Sequence, residues 1–135
     1  MPLEINPFTK ITMLDPEFVQ VINSVIRSAD APNDNGVILN FRDPTYSAEN
    51  GGFHSVELSL SPSGDLLYLT DFAYFGMPPM AELGIELDWN FEQDSFRQFD
   101  SYYHLECGRG LWLLYTKNFV AYYKGGCYET EVTAL

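Results

Sequence analysis

The sequence predicts an α+β fold: an antiparallel sheet of about four to five strands packed with an N-terminal and a C-terminal helix. Three observations carry the prediction. Apolar residues recur at helical spacing between Phe18 and Ile26, short β-branched or alternating runs fill the middle of the chain, and residues 82–92 alternate without a break. Helices on one face would bury the apolar side of such a sheet, since each amphipathic layer needs another to cover it.

The first helix opens at Asp15-Pro16-Glu17. Asp offers a capping oxygen, proline suits the first helical position because an N–H there would lack a partner anyway, and Glu complements the positive end of the helix dipole. Phe18, Val21, Ile22, Val25 and Ile26 share one face, and the helix is expected to stop near Ser28, before a loop containing Pro, Asn and Gly.

Strands follow. Val37 to Arg42 is short and apolar at its start, while Phe53 to Leu60 and Asp65 to Phe72 flank Ser61-Pro62-Ser63-Gly64, the turn of an antiparallel hairpin. The connection Asp43 to Gly52 is longer than a tight hairpin needs, and long loops between strands tend to carry function. From Glu82 to Glu92, Leu83, Ile85, Leu87, Trp89 and Phe91 are apolar and the residues between them polar or Gly, the period of a half-buried strand. Glu82, Glu86, Asp88 and Glu92 should then form one acidic solvent face, which would protect an edge strand from pairing or attract a basic protein. Leu111 to Tyr123 is too uniformly apolar for alternation to decide. A helix ending at Lys124, before Gly125-Gly126, is preferred to a hairpin turning at Lys117-Asn118, with a short strand from Tyr128 to Val132 after it.

The 135 residues fit a single domain spanning 1–135, and a hydrophobic content of 46% with 16% aromatics supplies its core. Nineteen acidic against seven basic residues give a net charge of −12. Such a surface is repelled by phosphate backbones and anionic membranes, which argues against direct nucleic-acid binding and leaves plain solubility or a basic protein partner. MPLEINPFTK has neither the basic start nor the apolar run of a secretion signal, and no stretch approaches the ~18 apolar residues of a membrane span. A cytoplasmic location is therefore expected, with Cys107 and Cys127 as reduced thiols. With two Cys and two His in the chain, no metal site or cofactor is expected.

The chain has no Gly-rich phosphate loop, nucleophile elbow or paired-Cys motif, so no catalytic residue is assigned. Weaker constellations remain. A His between carboxylates, as in Glu49, His54 and Glu57, can act as a general base or a single-metal ligand. Alternation, however, puts His54 on one face with Val56, Leu58 and Leu60, opposite Glu57, where a structural His held by one hydrogen bond is the expectation. Arg42-Asp43 and Asp71 stand at strand ends, and a bidentate Arg42–Asp71 pair would anchor the long loop or read a ligand. Phe72, Tyr74 and Phe75 precede Gly76-Met77-Pro78-Pro79-Met80, a composition that suits either a peptide-docking surface or a core corner closed by a rigid turn. His104, Glu106 and Cys107 have ligand-capable atoms but no second pair nearby, so neither a metal nor an activated thiol is expected there.

The run FRDPTYSAENGGFHSVEL, continued by YLTDFAYFGMPPMAEL and GRGLWLLYTKNFVAYY, resembles the bacterial DUF2787 family of gamma-proteobacteria and their mobile elements, over about residues 37–124. That family has no established activity, ligand or catalytic residue. The resemblance implies a small stand-alone intracellular domain and, through the mobile elements, a host-interaction or DNA-mimic role. The leading functional expectation is a non-enzymatic acidic protein-binding or adaptor module. A second is a small enzyme or ligand-binding domain with a site around the 43–52 loop, built from Arg42, Tyr46, Glu49, His54 and Asp71 with Tyr74 alongside. A chaperone-like dimer is the third. The second stands or falls on whether its side chains face one concave pocket.

Overall fold

The computed structural model describes residues 2–135 and bears out the α+β class, with two helices and an antiparallel sheet. Its sheet has seven strands rather than four to five. They are β1 (Val37–Arg42), β2 (Ser55–Leu60), β3 (Leu66–Phe75), β4 (Glu82–Asn90), β5 (Ser95–Gln98), β6 (Ser101–His104) and β7 (Glu129–Ala134), in the order β6-β5-β4-β3-β2-β1-β7. Strands β1 to β6 form a meander, and β7 returns to pair with the free side of β1. The two additional strands, β5 and β6, span four residues each. Their hairpin turns at Phe99-Asp100, with Phe99 at φ 51°, a position where a glycine or asparagine would have been the expected signal.

Helices α1 (Pro16–Ser28) and α2 (Arg109–Lys124) cover one face of the sheet. At the start of α1, Pro16 and Glu17 occupy the first turn as expected, but Asp15 makes no side-chain cap; Glu17 instead accepts from Lys124 at 2.6 Å, tying the start of α1 to the end of α2. The ambiguous segment is helical, and it ends at Lys124 before Gly125 and Gly126. The core lies between the layers: Leu39, Phe41, Leu58, Leu69 and Trp89 from the sheet meet Phe18 and Ile22 of α1 and Trp112 and Phe119 of α2, all buried. Many of its contacts are aromatic edges on faces, as in Phe41 on Phe119 at 4.8 Å and Trp89 on Trp112 at 5.2 Å, each adding about 0.5–1.5 kcal/mol beyond area burial.

Two glycines hold this packing in place. Gly64 closes the β2–β3 turn at φ 91°, where its N–H donates to Ser61 O at 2.9 Å and its carbonyl accepts from Asn6, docking the N-terminal segment with its buried Leu3 and Ile5. Gly108 precedes α2, and its carbonyl accepts the buried Trp89 indole N–H at 2.9 Å. A Cβ at Gly108 would stand 2.6 Å from Trp89 Nε1 and 2.7 Å from the Phe96 ring.

The strict alternation of residues 82–92 is deceptive. Asp71 pairs with Leu87 and Phe72 with Ile85, so Glu86 is an extra residue, a β-bulge in β4. The bulge reverses the faces. Leu83 and Ile85 belong with Phe72 on the open face of the sheet, whereas Leu87 and Trp89 belong with Asp71 and Leu69 on the helix face. The expected single acidic face therefore does not exist. Glu86 joins the helix side, Asp88 lies on the open face and accepts from Thr70 Oγ1 at 2.7 Å, and Glu92 falls beyond the strand. Nor is β4 an edge: β3 and β5 flank it.

Candidate functional site

The 43–54 connection is organised by one carboxylate. Asp43 Oδ2 accepts from Phe53 N at 3.0 Å, and its Oδ1 accepts from Thr45 N and Thr45 Oγ1 at 2.9 and 2.7 Å. These donors, that of Phe53 first, hold the Asp43 carboxyl below the usual carboxylate range. The closed loop delivers Phe53 and His54 to the helix side of the sheet, where strand alternation continues from Val56 as the sequence predicts.

There His54 meets two carboxylates. Its Nδ1–H lies 2.8 Å from Asp71 Oδ1 on β3 and 2.9 Å from Glu86 Oε2 on β4. Asp71 is only 4% exposed, and its second oxygen accepts from Tyr115 Oη of α2 at 2.6 Å. The bulge is what aims Glu86 at this point; in a regular strand it would face away from Asp71. The hydrogen bond to Asp71 raises the His54 pKa above its ordinary value, against the opposing effect of burial. Burial raises that of Glu86, and the neighbouring Asp71 charge adds to it. Burial likewise keeps the Tyr115 hydroxyl protonated, so it stays a donor.

The cluster forms the polar end of a cleft of about 410 Å³. Phe53, Asn118 and Tyr122 wall the cleft, with Phe53 and Tyr122 rings 4.4 Å apart. A cleft of this kind, with aromatic walls and a few convergent polar groups, is the usual form of a small-molecule site. Chemically, the arrangement can hold a proton between nitrogen and oxygen, hydrogen-bond a polar ligand, or surround a cation.

Of the residues singled out by sequence, the cleft brings together His54, Asp71 and, from the expected acidic face, Glu86. Arg42, Tyr46 and Tyr74 line a separate depression of about 320 Å³, and Glu49 lies at the exposed loop tip in neither. The Arg42–Asp71 pair does not form: Arg42 is exposed at the end of β1, opposite Glu129 of β7, while Asp71 turns to the helix face. Tyr46 links the two hollows, since its ring lies 5.4 Å from that of His54 and its hydroxyl accepts from Tyr74 N at 3.0 Å. The carboxylates beside His54 are Asp71 and Glu86 rather than Glu49 and Glu57, and Glu57 instead accepts from Tyr68 on the open face at 2.6 Å. Met77 and Met80, each 80% exposed, make the β3–β4 turn a projecting tip and not a core corner. Cys107 and Cys127 are unbridged. Glu86 was expected on a solvent face and not beside His54, and Tyr115, Asn118 and Tyr122 went unrecognised as site residues in the sequence; Gly84, two residues before the bulge, is the one local hint of an irregular strand.

A family model, "Protein of unknown function (DUF2787)", matches residues 16–133, a longer stretch than the motifs alone mark. Two solved structures are similar over most of their length. The hypothetical protein VC0508 from the VSP-II pathogenicity island of Vibrio cholerae is 28% identical with a TM-score of 0.77, over 90% of this chain and 94% of that one. The conserved hypothetical protein VC1805 from pathogenicity island VPI-2 of Vibrio cholerae O1 biovar eltor, which shares structural homology with the human P32 protein, is 31% identical with a TM-score of 0.72, over 89% and 94%. No curated protein matches. No helix among the described residues is long and apolar enough to cross a membrane.

Proposed function

The chain belongs to the DUF2787 family, and from its own geometry we propose that it is a small-ligand-binding domain whose ligand occupies the cleft between the 43–54 loop and α2. One observation carries the reading. His54, just before β2, meets Asp71 of β3 and Glu86 of β4 at one point, with ligand-capable atoms within 4.8 Å of one another, at the end of a cleft with aromatic walls. Gathering two carboxylates in a partly desolvated site costs stability, and a bulge is spent on aiming the second of them. That expense is accounted for if the cluster meets a ligand. The polar end of the ligand would face the cluster and its flatter, less polar body would lie against Phe53 and Tyr122.

A fragment screen by NMR tests this. Hits are expected to shift resonances of Phe53, Asn118 and Tyr122, and to be lost in Asn118→Trp, which fills the cleft from an exposed helix position. If no fragment maps to the cleft, or hits persist in the filled variant, the reading fails.

A second reading, the protein-binding adaptor, is favoured by a different observation. The β3–β4 tip exposes Met77 and Met80, with Leu83 half exposed beside it. Flexible, polarisable Met side chains at a projecting turn suit an adaptable protein contact. Crosslinking through a photoreactive residue at position 77 in the native host would capture a partner if this holds, and Met80→Ser with Met77→Ser would abolish the capture.

A further inference from the structure

We infer that His54, Asp71 and Glu86 form a mononuclear site for a divalent transition-metal ion, with Nδ1, Oδ1 and Oε2 as its three protein ligands. The inference rests on the cleft reading above and names what the polar end of that cleft holds.

The geometry comes first. Ligands about 2.1 Å from a common ion, as nitrogen and oxygen donors are to zinc, stand roughly 3.0–3.4 Å apart in octahedral or tetrahedral arrangements. His54 Nδ1 already lies 2.8 and 2.9 Å from the two carboxylate oxygens. With the three ligand-capable atoms within 4.8 Å of one another, small shifts of these side chains admit an ion between them, in the place the Nδ1 proton now holds.

Charge supports the same assignment. A neutral imidazole and two carboxylates balance a divalent ion, so the metal would relieve the repulsion between two acidic groups that now share a single N–H. The surrounding shell is also built for it. Ligating carboxylates are characteristically held by an outer hydrogen bond, and Tyr115 Oη supplies one to the far oxygen of Asp71 at 2.6 Å. Among the described residues three protein ligands converge, and the cleft opens directly onto them. That is the pattern of sites that leave positions for water or a substrate, as opposed to closed structural sites.

Ligand chemistry narrows the ion. One imidazole with two carboxylates suits Zn²⁺, Mn²⁺ or Fe²⁺, and an imidazole nitrogen disfavours Ca²⁺ and Mg²⁺. A bound ion would present an electrophilic centre to the cleft, so the ligand class that fits is an anionic or carbonyl-bearing small molecule with a flat body for the aromatic walls.

The test uses the full chain, stripped with chelator and titrated with Zn²⁺ and with Mn²⁺ by calorimetry, with Co²⁺ absorption as a report on the ligand field. One ion per chain is expected, with binding weakened at least tenfold by Glu86→Gln and by His54→Gln, and circular dichroism unchanged for Glu86→Gln. No binding, or binding that both variants leave intact, overturns the inference; the latter result would place the ion elsewhere, such as at His104 and Cys107. The two readings fail separately. Fragments that map to the cleft of a chain that takes no ion would sink the metal site alone. An ion lost on Glu86→Gln, in a chain whose cleft accepts no small molecule, would sink the ligand-binding reading alone.

Discussion

Gly108→Ala is a one-methyl change whose cost can be worked from the structure. The new Cβ would stand 2.6 Å from Trp89 Nε1 and 2.7 Å from the Phe96 ring, and both side chains are buried, with Trp89 fully so. Backbone strain does not enter, because Gly108 sits at φ −89° where any residue is comfortable. The methyl must therefore push two packed aromatics aside, an overpacking cost of about 1–3 kcal/mol. Moving Trp89 also stretches its indole hydrogen bond to the Gly108 carbonyl, worth about 1 kcal/mol. A loss of roughly 2–4 kcal/mol is expected, a large share of the ~5–15 kcal/mol typical of a domain. Urea unfolding followed by tryptophan fluorescence would read it directly, since Trp89 and Trp112 pack on each other at 5.2 Å. In a Trp89→Phe background the same substitution should cost at least about 1 kcal/mol less, because the closest clash is gone. A loss below about 0.5 kcal/mol in the native background, or no coupling between the two positions, would refute the argument.

Three other outcomes are expected. Tyr115→Phe removes the hydroxyl that Asp71 accepts from and should destabilise by about 1.5–3 kcal/mol in denaturant titration, the worth of a hydrogen bond to a charged group. Burial raises the Asp88 carboxyl, so its ionisation detracts from stability once pH climbs through that raised value; Asp88→Asn keeps an acceptor for Thr70 and should gain about 0.5 kcal/mol at pH 7, with the gain gone at pH 3. Asp43 is shifted the other way, and its contribution is complete above the unfolded value of about 3.9 and lost as pH falls through the depressed folded one. Asp43→Asn should accordingly lower the melting temperature at pH 7, while the difference from the native chain closes on acidification to about pH 2; a constant difference across that range would contradict the assignment.

Local signals explain what could be read in advance. The Asp15-Pro16-Glu17 start, the Ser61 to Gly64 turn and the Lys124-Gly125-Gly126 ending each depend on a few adjacent residues, and each appears where the chain predicts it. The face of His54 follows from simple counting along β2. By contrast, β5 and β6 are short, only Phe96 in them is well buried, and their turn is made by Phe99 where no turn-forming residue advertises it. The cluster at His54 depends on register between β3 and β4, which no local pattern records. Both faces of this sheet offer apolar neighbours, so Leu83 and Ile85 can pack against Phe72 just as Leu87 and Trp89 pack in the core. An alternating strand then looks the same whether or not its faces reverse midway, and Arg42 looked as plausible a partner for Asp71 as the residues that actually surround it.

The bulge at Glu86 has a bearing on how lineages of this fold diverge. Deleting that one residue would leave Asp71 opposite Leu87 and Phe72 opposite Ile85, a regular ladder in which every other side chain keeps its face. Loss of a single codon is thus enough to erase the second carboxylate of the cluster with the core untouched, and its insertion enough to create it. The scaffold and the cluster can be inherited independently, and relatives one residue shorter in β4 would share the architecture while lacking the site.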